Sequence, residues 1–164
     1  MLTQAFLPLF RRQQRGHIVQ ISSHGGVKAF AGFGSYNAGK FALEGVSEAL
    51  AAEVAPLGIR LTLVEPGPFR TNFAGSAFRQ VAHRITDYDT TAGAFRERMA
   101  QVNGRQEGDP VKAALAIMQI ARIENPSLRL PLGKIALQTI SSQLASVQAD
   151  LDNWRDLAES AVMD

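Results

Sequence analysis

A strand, a helix and a second strand in close succession constrain the fold of this chain more than any other feature. Residues 17–22 form a short β-branched run that ends in a stretch rich in serine and glycine, as is typical of a strand entering a loop. Apolar side chains recur at helical spacing over 35–55, and a second apolar strand at 59–64 stops at a Pro-Gly-Pro sequence. Two strands that one helix joins through tight turns are parallel. The sequence therefore predicts an α/β fold.

Three further elements are predicted around this strand–helix–strand unit. Residues 2–10 end in an arginine-rich turn, which is typical of the carboxyl end of a helix. Asp109 is a helix N-cap followed by proline, and it begins a helix over 111–123. A third strand is expected at 128–133, where Pro131 indicates an edge position.

The segment 68–108 has no clear hydrophobic period and contains six arginines, so we expect a long excursion with short helices that serves as a lid. Two amphipathic helices are predicted at 135–149 and 151–162. A length of 164 residues favours one domain. Its expected parts are the βαβ unit at 16–67, the lid or substrate loop at 68–108 and the terminal helices with an edge strand at 109–164, all within a single domain over 1–164.

Composition narrows the classes of function. Seventeen Lys and Arg against fifteen Asp and Glu leave a net charge of +2, so nucleic acid is not an expected partner. The absence of cysteine excludes disulfides, cysteine nucleophiles and cysteine-ligated metals, and the histidines lack metal-ligand spacing, so no metal is expected. No run approaches the ~20 apolar residues of a membrane span, and no signal-peptide pattern is present. We expect a cytoplasmic protein without membrane contact.

Three residues with complementary chemistry fall at one edge of the predicted sheet. Ser23 follows the first strand, Tyr36 lies at the start of the helix, and Lys40 is one turn further on. Side chains four residues apart project from the same face of a helix, so the phenol and the ammonium are expected side by side. Ligands of open parallel sheets bind outside the carboxyl ends of the strands, where Ser23 emerges.

This grouping is suited to acid–base chemistry. A neighbouring ammonium is expected to lower the pKa of the Tyr36 phenol, which could then give a proton to a carbonyl oxygen or take one from an alcohol. The Ser23 hydroxyl would hydrogen-bond the same oxygen. Neither side chain can supply a hydride, so such a site requires a nicotinamide cofactor.

At these positions the sequence resembles the short-chain dehydrogenase/reductase family. The matching motifs are a strand ending Ile21-Ser22-Ser23, the helix start Tyr36-Asn-Ala-Gly-Lys40 and the segment Pro66-Gly-Pro-Phe-Arg-Thr71. The resemblance implies that Ser23, Tyr36 and Lys40 are catalytic. It also implies that NAD or NADP contacts Tyr36, Lys40, Pro66, Gly67, Phe69 and Thr71.

The resemblance covers essentially the whole chain and implies a Rossmann-like doubly wound parallel sheet, truncated here to a C-terminal half of about three strands with flanking helices. The Gly-rich turn that holds the cofactor pyrophosphate in this family has no counterpart before Ser23. We therefore expect the N-terminal, cofactor-binding half to be absent.

The expected activity is hydride transfer between the nicotinamide cofactor and a small carbonyl or secondary alcohol substrate. The alternative is a catalytically inert fragment or association module of such an enzyme. The helices at 2–12 and 35–55 resemble those that the family uses for subunit contacts, so a homo-oligomer could form through them.

Two smaller assignments stay open from the sequence. His24 either faces the substrate or is an ordinary loop histidine. Four phenylalanines either line a substrate pocket or pack the lid, namely Phe69, Phe73, Phe78 and Phe95.

Overall fold

The computed structural model describes residues 2–75, 78–81 and 83–163, and within them a parallel sheet with flanking helices. The sheet has the order β1-β2-β3, and both strand pairs are parallel. The predicted α/β fold with three parallel strands is therefore confirmed. The elements are α1 (Leu2–Gln13), β1 (Gly16–Ile21), α2 (Gly34–Val54), β2 (Ile59–Pro66), α3 (Ala94–Val102), α4 (Pro110–Ile120), β3 (Arg129–Leu132), α5 (Lys134–Asn153) and α6 (Arg155–Glu159).

Strand β2 lies between the other two strands and contributes more buried hydrophobic residues than any other described element. Its residues from 61 to 65 are all buried, as expected for a central strand of a parallel sheet that is covered on both faces. A hydrophobic core cluster joins β2 to β1 and α2. Its members are Ile18 of β1, Val54 of α2, and Ile59, Leu61 and Leu63 of β2, with Leu7 and Phe10 of α1 packed against them.

A tight turn after α2 sets the start of β2. Gly58 has φ +70°, a left-handed conformation that side chains with a Cβ disfavour. A Cβ at this position would also collide with the carbonyl oxygen of Gln14, in the turn before β1. Because β1 and β2 pair from Gly16 opposite Ile59, this glycine lets the two turns pass close to one another.

The observed start of α4 agrees with the prediction from the sequence, whereas the observed boundaries of the C-terminal helices differ from the predicted ones. Asp109 Oδ1 accepts hydrogen bonds from the backbone N–H groups of Val111, at 2.8 Å, and Lys112, at 3.4 Å. The predicted break near residue 150 is wrong, because α5 continues to Asn153 and only the short α6 follows. No glycine or proline lies near residue 150 to end the helix.

Helix α2 turns its polar face toward the sheet. The side chains of Asn37, Glu44 and Ser47 are buried, each at 5% exposure or less. The apolar stripe that predicted the helix, which would ordinarily cover the core, lies mostly on the outer face instead. Its exposed members are Ala38, Phe41, Ala42, Gly45, Val46 and Ala49.

The segment 68–108 contains short helical pieces, as expected, although its role as a lid remains a prediction. Two short 3₁₀ turns, Asn72–Ala74 and Thr86–Tyr88, precede a single π-helical turn at Asp89–Gly93 that leads into α3. Of the predicted segment, residues 76, 77 and 82 lie outside the described part. Among the described residues, no helix combines the length and the apolar character that crossing a membrane requires.

Candidate active site

Ser23 lies at the carboxyl end of β1, where the strand gives way to a 3₁₀ turn at His24–Gly26. Its backbone is extended and its side chain is 7% exposed. The Oγ atom caps the turn by accepting a hydrogen bond from the N–H of Gly25 at 3.0 Å. Because the hydroxyl accepts from the backbone, its own proton is available to donate to another oxygen.

Tyr36 and Lys40 lie one turn apart near the start of α2, on the side that meets the end of β1. Lys40 Nζ donates a hydrogen bond to the carbonyl oxygen of Ile21 at 2.8 Å and lies 5.9 Å from the centre of the Tyr36 ring. The predicted juxtaposition of phenol and ammonium is present in this structure. The lysine also ties the helix to the last residue of the strand.

Gly25 is the point at which the side chains of the site converge. A Cβ added to this glycine would lie 3.0 Å from Asn37 Nδ2, 3.1 Å from Tyr36 Cε1 and 3.3 Å from Ser23 Oγ. The phenol ring and the serine hydroxyl therefore both border the space beside the Gly25 Cα. A larger residue at this position would require the Asn37, Tyr36 and Ser23 side chains to shift by a few tenths of an ångström.

The electrostatics of the phenol differ from the expectation. Burial raises the pKa of Tyr36, and a hydrogen bond with Ser23 acts in the opposite direction without cancelling it. Burial also lowers the pKa of Lys40. The nearby Glu44 carboxylate acts in the opposite direction but has the smaller effect. The expected lowering of the Tyr36 pKa is therefore wrong for this structure, because loss of solvent around the phenol outweighs the hydrogen bond with Ser23.

Asn37 is a structural residue of the site that the sequence did not single out. Its Oδ1 accepts a hydrogen bond from the N–H of Phe30 at 3.0 Å, and its Nδ2 donates one to the carbonyl oxygen of Gly25 at 2.7 Å. These bonds hold the loop between β1 and α2 against the helix. A polar residue directly after the tyrosine, on the inward side of a helix, is the signal that could have revealed it.

The residues expected to contact a cofactor after β2 lie in a compact turn. Pro66 ends β2, and the N–H of Gly67 donates to the carbonyl oxygen of Leu132 at 2.9 Å. Phe69 pairs with Gly108 through an isolated parallel bridge. Thr71 Oγ1 accepts from the N–H of Phe73 at 3.3 Å. Their backbone is thus fixed by local bonds, and their contact with a cofactor remains a prediction.

Six aromatic rings gather beside the site and are called the aromatic cluster below. The ring of Tyr36 stacks on Phe33 at 4.4 Å between centroids and lies 5.5 Å from Phe73. The members are Phe30, Phe33, Tyr36, Phe73, Phe78 and Phe95. Of the four phenylalanines singled out in the sequence, Phe69 stands apart beside Gly108 and Gly133.

His24 adjoins this cluster. Its ring lies 5.1 Å from the ring of Phe30, and burial lowers its pKa. At neutral pH the imidazole is therefore uncharged, and it extends the aromatic surface rather than adding a positive charge.

A second polar group lies under the helix, and we call it the glutamate cluster. Arg129 of β3 donates to Glu65 Oε1 at 2.7 Å, to Glu48 Oε2 at 2.8 Å and also to Glu44. Glu65 is fully buried, and burial raises its pKa although the Arg129 hydrogen bond opposes this shift. These residues link α2, β2 and β3 through pairs far apart in sequence.

A hydroxyl, a phenol and an ammonium at the carboxyl end of a parallel strand define an α/β protein with a candidate acid–base site. The family model for short chain dehydrogenase matches residues 1–82, the part that holds all three groups. The chain belongs to the short chain dehydrogenase family. Among the described residues, no group of three or more His, Asp or Glu side chains is arranged to hold a metal ion.

Related proteins and structures are consistent with this membership. The chain is 36% identical over 157 residues to Oxidoreductase BOA17 of Botryotinia fuckeliana, covering 96% of this chain and 57% of that protein. It is 42% identical, with a TM-score of 0.86, to the crystal structure of a short-chain dehydrogenase from Streptomyces avermitilis, covering 99% of this chain and 58% of that one.

A more distant structure, a short chain dehydrogenase/reductase from Burkholderia phymatum in complex with NAD, shares the fold. It is 20% identical with a TM-score of 0.69, covering 90% of this chain and 53% of that one. The chain thus spans about half the length of the relatives that it matches.

Proposed function

We propose that this chain carries the acid–base part of an NAD- or NADP-dependent oxidoreductase that acts on a carbonyl or secondary alcohol. The observation that supports this most directly is the hydrogen bond between the Tyr36 and Ser23 side chains beside Gly25, with the Lys40 ammonium 5.9 Å from the phenol ring. Proton transfer at a substrate oxygen needs a donor and a second hydrogen bond aimed at the same point, and these residues supply both.

The donor set fits a nicotinamide nucleoside. The Lys40 ammonium has three N–H donors, of which one is given to Ile21, so two others can reach ribose hydroxyls. Pro66, Gly67, Phe69 and Thr71 would lie along the nicotinamide by their resemblance to the family motif. When bound, the nicotinamide supplies or accepts the hydride at the substrate carbon.

The protein's own residues then act at the substrate oxygen. In the reducing direction, Tyr36 gives its proton to the carbonyl oxygen, and Ser23 donates a hydrogen bond to the same atom as negative charge develops there. The raised pKa keeps the phenol protonated at neutral pH, which suits this direction. In the oxidising direction the phenolate must take the proton, so this rate is expected to rise toward alkaline pH.

The alternative is a catalytically inert fragment or association module. The exposed apolar stripe of α2 and the exposed Leu2 and Phe6 of α1, at 77% and 45%, support an association role. Cofactor binding separates the two hypotheses, because the enzyme requires it and the module does not.

The decisive experiment is a titration of the chain with NADH and NADPH, followed by nicotinamide fluorescence and melting temperature, and then by turnover on a panel of ketones. The Tyr36→Phe variant is expected to bind the cofactor and to lose turnover by at least about 100-fold. The matched control is Tyr88→Phe, since Tyr88 is 57% exposed in a 3₁₀ turn. Absence of cofactor binding in a folded sample would favour the association module.

A further inference from the structure

The aromatic cluster brings together side chains from three separate segments. Phe30 and Phe33 come from the loop before α2 and its start, Phe73 and Phe78 come from the loop after β2, and Phe95 comes from α3. Phe33 is at the centre, with ring centroids at 4.4 Å to Tyr36, 5.2 Å to Phe95, 5.8 Å to Phe78 and 6.2 Å to Phe73. The contacts are stacked, tilted and edge-on, as aromatic pairs prefer.

These rings do not form the core of the protein. The buried cluster is built on β2 and on its contacts with β1 and α2, and it contains none of the six rings. Each ring is partly accessible to solvent, and Phe73 is 41% exposed. An accessible group of aromatic faces therefore lies directly beside the phenol that is proposed to transfer the proton.

We propose that the aromatic cluster is a substrate-binding surface that selects ketones and secondary alcohols with an aromatic ring next to the reacting carbon. This inference rests on the proposed function of the Tyr36 site. The aromatic ring of the substrate packs against Phe33 and Phe73, and its oxygen then meets Tyr36 and Ser23. The neutral His24 at the border offers no charge to an anionic substrate.

Aromatic faces favour an aromatic partner over an aliphatic group of the same size. Stacked and edge-on pairs add to the affinity that area burial alone provides, by about 2-fold to about 10-fold for one ring pair. A planar ring also loses little conformational freedom on binding, in contrast to a flexible alkyl chain.

The test is the binding of two small ketones to the full chain, measured by ligand-observed NMR without cofactor. Acetophenone and cyclohexyl methyl ketone share the carbonyl and nearly the same size and differ in the aromatic ring. Acetophenone is expected to bind about 2-fold to about 10-fold more tightly. Equal affinity for the two ketones, or no binding of acetophenone, would overturn the proposal.

Variants of the aromatic cluster test whether acetophenone binds there. Phe73→Leu is expected to abolish the preference for acetophenone while leaving cyclohexyl methyl ketone binding unchanged, because it keeps an apolar side chain and loses the ring. The matched control is Phe6→Leu on α1, which is 45% exposed and lies outside the cluster. If Phe73→Leu lowers the melting temperature and leaves the preference intact, the rings only pack the segment and the proposal is wrong.

The two proposals can fail separately. Acetophenone binding needs neither cofactor nor the phenol hydroxyl, so the preference should persist in Tyr36→Phe. Retained acetophenone binding without cofactor binding would refute only the proposed function. Turnover of aliphatic and aromatic ketones at equal efficiency would refute only the aromatic selection.

Discussion

At the scale of single residues, the candidate site depends on how closely the Tyr36 and Lys40 side chains approach Gly25 and the end of β1. The sequence predicted the three reactive groups, because their spacing alone places Tyr36 and Lys40 on one side of a helix. The sequence did not predict the direction of the Tyr36 pKa shift, which depends on how much solvent the surrounding rings exclude. Burial raises this pKa by more than the hydrogen bond with Ser23 lowers it.

The buried Glu65 leads to a prediction on stability and pH. Its pKa is raised in the folded state, so the native protein binds this proton more tightly than the unfolded chain does. The resulting stabilisation is fully present below the ordinary glutamate pKa and is lost as pH rises through the raised value. Relative to the parent chain, Glu65→Gln should therefore become progressively more stable as the pH rises above the ordinary glutamate pKa of about 4.

Urea unfolding across this pH range measures the effect. Glu48→Gln is the matched control, because Glu48 also bonds Arg129, at 2.8 Å, but its side chain is 62% exposed. Parallel curves for the parent chain and Glu65→Gln would show that the Glu65 carboxyl does not contribute.

At the scale of elements, the two sides of α2 serve different purposes. Its inner face carries Asn37, which holds the loop after β1, and Glu44, which meets Arg129 of β3. Buried polar groups of this kind have to be paired, and the pairs fix the helix against the sheet. The outer face is apolar and exposed, and only the last turns of α2 contribute to the core, through Val54.

The turn between α2 and β2 gives a prediction on stability. It distinguishes the cost of a left-handed backbone conformation from the cost of a steric clash between an added Cβ and neighbouring backbone. Gly58 and Gly104 both have positive φ, +70° and +74°, but only at Gly58 would a Cβ meet neighbouring backbone. Gly104→Ala should cost roughly 1–2 kcal/mol in the free energy of unfolding. Gly58→Ala should cost more, by a further 1–3 kcal/mol or so, because the Gln14 carbonyl has to move.

Urea denaturation of the two variants checks this difference. Equal losses would mean that the turn before β1 adjusts without cost, and that conformation alone requires glycine at Gly58.

At the scale of the whole molecule, the chain spans about half the length of its relatives and still contains a paired, three-stranded sheet. Strand β1 pairs only with β2 among the described residues, so one of its edges is open. An open edge and an exposed apolar stripe both favour association with another polypeptide.

Association through α2 is proposed to produce a homo-oligomer, and a charge on the stripe tests it. Val46 is 60% exposed, and Val46→Asp would bury a carboxylate in an apolar interface, so oligomers should dissociate to monomers. Val111→Asp is the matched control, since Val111 is 67% exposed on α4. Sedimentation over a range of protein concentrations measures both, and a monomeric parent chain would refute the proposal.

The sequence by itself determined the local features of this protein. The order of strands and helices, the cap at Asp109, the edge position of the strand with Pro131 and the grouping of Ser23, Tyr36 and Lys40 all follow from residues close together in the chain. Backbone preferences and helical periodicity act over these short distances, so the pattern of residue types is sufficient to predict them.

Only the tertiary structure decided the rest. It turned the polar face of α2 inward, gathered rings from three segments around Phe33, and brought Arg129 to Glu44 and Glu65, which are 85 and 64 residues away. It also set the burial that raises the pKa values of Tyr36 and Glu65. These outcomes depend on which distant segments pack together and exclude water, and local periodicity contains no information about that.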